Sequence, residues 1–260
     1  MPLINLYHCC IQKSASQWFL QLLRDASVKR ACSLEVFSPH LDFTITTENR
    51  ELLRRGFPGN AIVSPLYIPY EEFLALPKPP EWKAFYVVRD PRDILISWYF
   101  SVKCSHVLNN AFLRETNRLL RALSLQQGLD YMIANIEGLH REMYAAMHGW
   151  LAAGENEKVL LVRYEDATGD AQLETMERLF DHLGIGLSRA SLTSLLRKYS
   201  FARMSRGRER GDEDAGSHYR KGLPGDWKKY LHASQQQAVR EKLQGILTGY
   251  GYGYSADNGL

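Results

Sequence analysis

Apolar residues occur along the chain as short compact runs that alternate with longer segments of helical spacing. The compact runs are rich in β-branched and aromatic residues, and they predict buried strands at residues 3–10, 61–66, 84–89 and 158–164. Helical spacing predicts helices at about 16–30, 70–76, 91–103, 108–125, 129–153, 172–183, 188–199 and 234–250. Because strands alternate with helices, the pattern predicts an α/β fold whose central parallel sheet is flanked by helices on both faces.

Three loops follow predicted strands directly and lead into helices. They lie at residues 10–16, 89–93 and 164–166, and the second begins its helix with Asp90 as a predicted N-cap and Pro91 in the first turn. Ligands of open parallel sheets bind beyond the carboxyl ends of the strands. We therefore expect these three junctions to meet on one rim of the sheet and to carry the chemistry.

Length and composition narrow the class of protein. The chain has 260 residues, of which 45% are hydrophobic and 23% charged, and this excludes a disordered or fibrous protein. We predict a single domain over residues 1–260, with a frayed tail at 251–260. A net charge of +3 is too small to indicate a nucleic-acid partner. No apolar run approaches the roughly 18 residues of a membrane span.

The four cysteines, Cys9, Cys10, Cys32 and Cys104, have neither CxxC spacing nor a metal-ligand pattern with histidine. We therefore expect reduced thiols and no metal. The first six residues contain no basic segment and no small-residue cleavage site of a secretory signal. Both observations predict a cytoplasmic protein.

The first junction reads Gln12-Lys13-Ser14-Ala15-Ser16-Gln17-Trp18. A strand, a tight loop with a lysine and hydroxyl residues, and then a helix N-terminus make a cradle for phosphate, because backbone N–H groups and the helix dipole attract the anion. The glycines of the Walker A motif are absent. An ordinary solvated turn is the alternative interpretation.

Two further segments carry cations. Arg89 at a strand end and Ser97 on the following helix could both reach one phosphate, although Arg89 could instead form a structural ion pair with Asp93. The second segment, Arg220-Lys221-Gly222, has two cations before a glycine, at which the backbone can approach an anion closely. The alternative interpretation is a basic turn that leads into a helix capped by Asp226. Residues 197–230 carry a net charge of +5, whereas the rest of the chain carries a net charge of −2. This concentration of positive charge indicates a local anion site.

Together these segments resemble the sulfotransferases that use 3′-phosphoadenosine 5′-phosphosulfate (PAPS), above all the cytosolic type. The family's phosphosulfate loop Pro-Lys-Ser-Gly-Thr-Thr-Trp is similar to residues 12–18, and its 3′-phosphate motif is similar to Arg89 with Ser97. Its remaining motifs appear in family order as Tyr164-Glu165-Asp166, Tyr199-Ser200-Phe201, Arg220-Lys221-Gly222 and Gly225-Asp226-Trp227-Lys228. The resemblance covers nearly the whole chain and implies a fold similar to that of the P-loop NTPases.

The resemblance implies a role for each matching residue. Lys13 would bind the 5′-phosphosulfate and stabilise the departing oxygen, while Ser14, Ala15, Ser16 and Gln17 would line that phosphate. Trp18 would stack on adenine, with Tyr164, Ser200 and Phe201 nearby. The 3′-phosphate would be held by the following residues: Arg89, Ser97, Arg220, Lys221 and Gly222. The implied reaction passes a sulfuryl group from PAPS to a hydroxyl or amine of a small acceptor and leaves adenosine 3′,5′-bisphosphate (PAP), without a metal.

The chain departs from the family pattern at the general base. The family's histidine falls on Tyr67, and a tyrosine with a pKa of about 10 is a poor base at neutral pH. We therefore name His40 as the predicted base, since it lies where the family's acceptor-binding loop falls. The other possible bases are His8, His106, Glu71 and Glu72. The family's dimerisation pattern is also degraded, so the oligomeric state stays open.

Residues 205–219 join Phe201 to Arg220 and contain many charges and glycines but no apolar run. Such a segment buries too little surface to hold itself in place, so we predict a mobile lid. Two functions other than sulfuryl transfer stay open. The first is a P-loop-type kinase in which Lys13 binds ATP, and the second is a nucleotide-binding protein that has lost catalysis.

Overall fold

The computed structural model describes residues 3–39, 47–138 and 140–253. Five strands form one sheet in the order β2-β3-β1-β4-β5. All four neighbouring pairs are parallel, which confirms the predicted parallel α/β sheet. In chain order the strands are β1 (Ile4–Cys10), β2 (Glu35–Phe37), β3 (Ala61–Leu66), β4 (Glu81–Val88) and β5 (Val159–Arg163).

Helices occupy most of the remaining described chain. The first seven are α1 (Ser16–Leu23), α2 (Ala26–Cys32), α3 (Thr47–Arg55), α4 (Tyr70–Ala75), α5 (Pro91–Phe100), α6 (Ala111–Ala122) and α7 (Leu125–Ala134). They are followed by α8 (Arg141–Gly149), α9 (Tyr164–Thr168), α10 (Gln172–Leu183), α11 (Arg189–Lys198), α12 (Phe201–Met204), α13 (Trp227–Tyr230) and α14 (Ala233–Gly249). A π-helical turn at Ser101–Ser105 continues α5, and a 3₁₀ turn at Trp150–Glu155 continues α8. Among the described residues no helix is both long and apolar enough to cross a bilayer.

Contacts group the chain into two compact units, each made of two segments. The first unit comprises Met1–Arg89 and Ala145–Arg208, and the second comprises Asp90–Tyr144 and Glu209–Leu260. That residues 1–260 form a single domain stays a prediction.

The first unit contains the whole sheet and covers both of its faces. On one face, Leu6 and Val87 belong to a buried cluster with residues of α1 and α10. On the other face, Tyr86 stacks on Trp150 with ring centroids 4.5 Å apart, and Tyr7 meets Phe73 of α4 edge to face. Successive strand residues point to opposite faces, so a strand covered on both sides is apolar throughout. This explains why the four longer strands were visible as compact apolar runs.

The second unit begins at α5, where the predicted cap is confirmed. The Asp90 side chain accepts a hydrogen bond from the Arg92 N–H, and Pro91 occupies the first turn. The Arg92 guanidinium is buried, pairs with Asp90 at 2.7 Å and lies 3.8 Å above the Trp227 ring. It also donates to the carbonyl of Tyr252, which is itself buried. The chain is therefore held at Tyr252, inside the segment predicted to fray, and residues 254–260 lie outside the described residues.

Two parts of the sequence prediction are wrong near the first helix. The single helix predicted over 16–30 is two helices, because Asp25 has an extended backbone and its side chain caps α2 at the Ser27 N–H. The edge strand β2 (Glu35–Phe37) and helix α3 were not predicted. Strand β2 has only three residues, the first of which is exposed, so its pattern is too short to indicate a strand.

Candidate nucleotide site

The loop after β1 has an unusual backbone. Lys13 and Ala15 both adopt the left-handed conformation, with φ of 69° and 64°. This region disfavours residues with a Cβ atom by roughly 1–2 kcal/mol each, so the surrounding contacts must impose it. One such contact comes from Ser14, which is fully buried and donates a hydrogen bond from its hydroxyl to the Ile11 carbonyl at 2.6 Å. In this structure the Ser14 hydroxyl therefore closes the loop.

Arg89 connects the three junctions that the sequence singled out. Arg89 is 8% exposed and donates a hydrogen bond from Nη1 to the Lys13 carbonyl at 2.8 Å. The same guanidinium lies 4.5 Å from the centroid of the Tyr164 ring, a cation–π arrangement. The expectation that the three junctions meet at one rim of the sheet is therefore confirmed.

Tyr67, which the resemblance aligns with the family's base, directly follows β3 and contacts the start of α1. Its hydroxyl donates a hydrogen bond to the Ser16 hydroxyl at 2.7 Å, at the first residue of α1. Burial, together with the neighbouring Cys10, raises the pKa of Tyr67 well above its usual value. The phenol therefore stays protonated at neutral pH and acts as a hydrogen-bonding group, as expected for a tyrosine that cannot serve as the base.

The residues assigned to adenine lie together in the first unit. The Trp18 indole N–H donates to the Tyr199 carbonyl at 2.8 Å, which fixes α1 to the end of α11. Ser200 precedes α12 as its N-cap residue, and Phe201 begins that helix with its ring 5.5 Å from the Arg208 guanidinium. Trp18, Ser200 and Phe201 are all partly exposed and can contact a ligand.

In the second unit, Ser97 lies on α5 and is partly exposed. Arg220 and Lys221 both pair with the carboxylate of Asp226, whose side chain is only 2% exposed. Arg220 also pairs with Glu213, and Gly222 has a φ of 72°, a conformation that glycine adopts without strain. The two cations proposed to bind phosphate are therefore held in place by acidic side chains.

Asp93 organises the backbone that follows these cations. Its carboxylate accepts hydrogen bonds from the N–H groups of Gly225 at 2.6 Å and Trp227 at 3.0 Å. The sequence suggested Asp93 only as an alternative ion-pair partner of Arg89. Its contacts with Gly225 and Trp227 were not foreseen, since those partners lie more than 130 residues away along the chain.

The segment predicted as a mobile lid is tied to its surroundings more than its composition suggests. Within the second unit, the N–H groups of Gly211 and Asp214 donate to the carbonyls of Lys221 and Arg220. The Tyr230 hydroxyl also donates a hydrogen bond to the Glu213 carboxylate, with its oxygen 2.6 and 2.7 Å from the two carboxylate oxygens. These contacts depend on tertiary pairing and leave no trace in local composition. Closure as a lid stays a prediction.

The possible general bases occupy different environments. His40, the predicted base, lies outside the described residues. His8 is fully buried, shares a hydrogen bond with the Ser64 hydroxyl at 2.8 Å and stacks on Phe85 at 4.7 Å. His8 is therefore a core residue, and its burial lowers its pKa to about 3. A buried imidazole of this kind cannot receive a proton from an acceptor.

The other possible bases reach the surface in part. His106 is partly exposed beside Trp98 and shares a hydrogen bond with the Ser101 hydroxyl at 3.2 Å. Glu71 is exposed on α4. Its neighbour Glu72 lines a pocket of about 280 Å³ with Arg50 and Arg54. Within the described ranges, no three His, Cys, Asp or Glu side chains are grouped so that they could hold a metal ion.

Comparison with known proteins identifies the class. The family described as "Sulfotransferase domain" matches residues 11–251, which is most of the chain. The protein therefore belongs to the sulfotransferase domain family, and the resemblance seen in the sequence is confirmed.

Two curated relatives have the family activity in their names. The chain is 29% identical over 178 residues to a 3-alpha-hydroxysteroid sulfotransferase from Cavia porcellus, a match that covers 65% of this chain and 57% of the relative. It is 28% identical over 184 residues to sulfotransferase 2A6 from Mus musculus, again covering 65% and 57%. The matches thus span less than two thirds of these relatives' lengths.

Solved structures show the same fold at lower identity. Mouse sulfotransferase SULT7A1 complexed with PAP superposes with a TM-score of 0.61 at 19% identity, covering 98% of this chain and 85% of that one. Retinol dehydratase in complex with androsterone and the inactive cofactor PAP gives a TM-score of 0.56 at 17% identity, covering 94% and 80%. At such identities the similarity establishes the fold alone.

Proposed function

We propose that this protein is a PAPS-dependent sulfotransferase that transfers a sulfuryl group to a hydroxyl or amine of a small molecule. The observation that carries the proposal is the contact of Arg89 with the Lys13 loop and the Tyr164 ring. This contact assembles three motifs of the family in one unit, in a protein that belongs to the sulfotransferase domain family.

The residues present fit the chemistry of the donor. Lys13 and the start of α1 supply a cation and helix N–H groups for the 5′-phosphosulfate, and Trp18 and Phe201 supply aromatic faces for adenine. The contacts to the 3′-phosphate, namely Arg89, Ser97, Arg220, Lys221 and Gly222, stay a prediction from the resemblance. PAPS, when bound, supplies an activated sulfuryl group on a phosphate leaving group.

Sulfuryl transfer depends on in-line positioning and on neutralising charge where the leaving oxygen departs. The bond from sulfur to the phosphate oxygen breaks as a bond from sulfur to the acceptor forms, and a base takes the acceptor's proton. Lys13 is the group that would neutralise the departing oxygen. We propose His40 as the base, and we expect His40→Ala to remove the acid limb of the pH–rate profile near the histidine pKa. An unchanged profile would move the role to His106, Glu71 or Glu72.

The identity of the acceptor is a matter for screening. One relative is named for 3-alpha-hydroxysteroids, and one structural neighbour was solved with androsterone. A hydroxysteroid is therefore the first acceptor to test, followed by phenols and amines. A cytoplasmic setting remains a prediction.

Calorimetry with PAP and ATP tests the nucleotide site. If the protein is a sulfotransferase, we expect it to bind PAP more tightly than ATP, because ATP carries no 3′-phosphate for the predicted cations to bind. Tighter binding of ATP would favour a P-loop-type kinase. If PAP binds but no acceptor in the screen is sulfated, the favoured function becomes a nucleotide-binding protein that has lost catalysis.

A further inference from the structure

Asp25 is a buried acid that accepts hydrogen bonds from three residues. Its carboxylate is 7% exposed and accepts from the backbone N–H and the hydroxyl of Ser27, at 2.8 and 2.7 Å. The Lys198 ammonium and the Tyr199 hydroxyl donate to the other oxygen, at 2.6 and 3.0 Å. Two donors are local and belong to the cap of α2, while the other two come from more than 170 residues away along the chain.

These bonds hold the carboxylate in its charged form. Burial on its own raises the pKa of Asp25, but the hydrogen bonds from Lys198, Ser27 and Tyr199 outweigh burial and keep the pKa well below its usual value. A charged acceptor makes stronger hydrogen bonds than a neutral one. Charge-assisted hydrogen bonds therefore hold the end of α11 against the start of α2 throughout the neutral pH range.

Tyr199 forms hydrogen bonds through both its side chain and its backbone. Its hydroxyl donates to Asp25, and its carbonyl accepts the Trp18 indole N–H at 2.8 Å. Trp18 lies on α1, and Ser200 and Phe201 follow Tyr199 directly. The bond from Asp25 to Tyr199 therefore restrains the same backbone that holds the Trp18 ring and precedes the Phe201 ring.

We propose that Asp25 is a positioning residue for base recognition, which keeps Trp18 and the Tyr199–Phe201 segment at the separation that a purine ring requires. This inference rests on the proposed function, because it takes Trp18 and Phe201 as the adenine contacts. In this proposal Asp25 acts through Tyr199 and does not contact the ligand itself. Its effect is expected only on ligands that carry a base, since stacking depends on the placement of aromatic faces.

Asp25→Asn tests the proposal, because asparagine keeps the shape of the side chain and removes its charge. Binding is measured by calorimetry with two probes, PAP and ribose 3,5-bisphosphate, which carries the same phosphates without a base. Asp181→Asn makes the same change at an exposed aspartate of α10 in the same unit and is the control. Melting temperatures are recorded for every variant.

In Asp25→Asn we expect PAP affinity to fall about 10-fold, on the order of the loss of one stacked base, while affinity for ribose 3,5-bisphosphate changes less than about twofold. Asp181→Asn should change neither. Equal losses for both probes, or no loss for PAP, would overturn the proposal and leave Asp25 a structural cap. If the wild-type protein itself does not bind PAP, the proposed function fails, and this is a different result from an unselective loss in the variant.

A second variant covers the case in which Asp25→Asn does not fold. Tyr199→Phe removes one hydrogen bond to Asp25 but keeps the carbonyl that receives the Trp18 N–H. We expect a smaller loss that is again selective for PAP. PAP affinity should fall about threefold, because a single hydrogen bond is lost, and the affinity for ribose 3,5-bisphosphate should not change. An unselective change in this variant would also contradict the proposal.

Discussion

The guanidinium of Arg89 donates a hydrogen bond to the carbonyl oxygen of Lys13 at 2.8 Å. The resemblance assigns Arg89 to the 3′-phosphate, but in the structure this side chain also shapes the loop on which the proposed catalytic lysine lies. A change at Arg89 should therefore affect the backbone at Lys13 as well as the binding of phosphate.

Arg89→Lys keeps the positive charge but loses the planar fork that reaches the Lys13 carbonyl and lies over Tyr164. We expect PAP affinity to fall by about 10-fold or more, on the scale of one charge-assisted hydrogen bond of roughly 1.5–3 kcal/mol. Calorimetry with PAP measures this loss, and Arg30→Lys at an exposed position of α2 is the matched control. Unchanged affinity in Arg89→Lys would show that the charge alone matters.

Ala15→Gly should stabilise the protein. Ala15 has a φ of 64°, a region where a Cβ atom costs roughly 1–2 kcal/mol, while glycine loses about 0.5–1 kcal/mol through chain entropy. The net expectation is a gain of about 0.5–1 kcal/mol in the free energy of unfolding, measured with urea. Ala190→Gly, at an exposed position of α11, should instead lower stability by a similar amount. A loss of stability in Ala15→Gly would show that the left-handed backbone at Ala15 does not cost the folded protein free energy.

The buried histidines make stability depend on pH. Burial lowers the pKa of His8 to about 3 and that of His140 to about 4, so below pH 6.5 the unfolded chain binds protons that the folded chain does not. Stability is then greatest above pH 6.5 and is lost as the pH falls toward these values, by about 1.4 kcal/mol per pH unit for each histidine.

Urea unfolding at pH 6 and pH 5 measures this slope. His8→Gln should reduce it by about 1.4 kcal/mol per pH unit, the contribution of one histidine. His148→Gln, the same substitution at an exposed position of α8, is the matched control. An unaltered slope in His8→Gln would show that His8 takes up its proton in the folded state as readily as in the unfolded one.

The segment 205–219 is expected to respond to nucleotide. It joins Phe201 to Arg220, and both residues are proposed PAP contacts, so binding should restrain its two ends. We expect trypsin to cut between Arg206 and Arg220 in the free protein and to cut several-fold more slowly with saturating PAP. Equal rates of cutting with and without PAP would show that nucleotide does not order the segment and that it is only a solvated loop.

The sequence predicts the sheet and the assembly of its three junctions because both depend on local patterns. A buried strand reads as an apolar run, and the end of such a run places Lys13, Arg89 and Tyr164 on the same rim. The cap at Asp90 was an equally local signal, and it is confirmed.

Residues that act through distant partners could not be found in this way. Asp25 interrupts what the spacing predicts as one helix, and its role depends on Lys198 and Tyr199, which are more than 170 residues away. Asp93 and Glu213 likewise have their main partners in tertiary contacts. An Asp two residues before a Ser was the only local sign at Asp25, and that sign indicates a cap and no more.

Transfer of radiolabelled sulfate from PAPS to an acceptor panel that begins with hydroxysteroids tests the central claim most directly. The wild-type protein should sulfate at least one acceptor, and Lys13→Met should lower kcat by on the order of 10²–10³ with an unchanged melting temperature, because we propose that Lys13 neutralises the leaving oxygen. Lys29→Met, at an exposed position of α2, should retain full activity. Transfer at the wild-type rate in Lys13→Met, or no transfer by the wild-type protein to any acceptor while PAP binds, would contradict the claim.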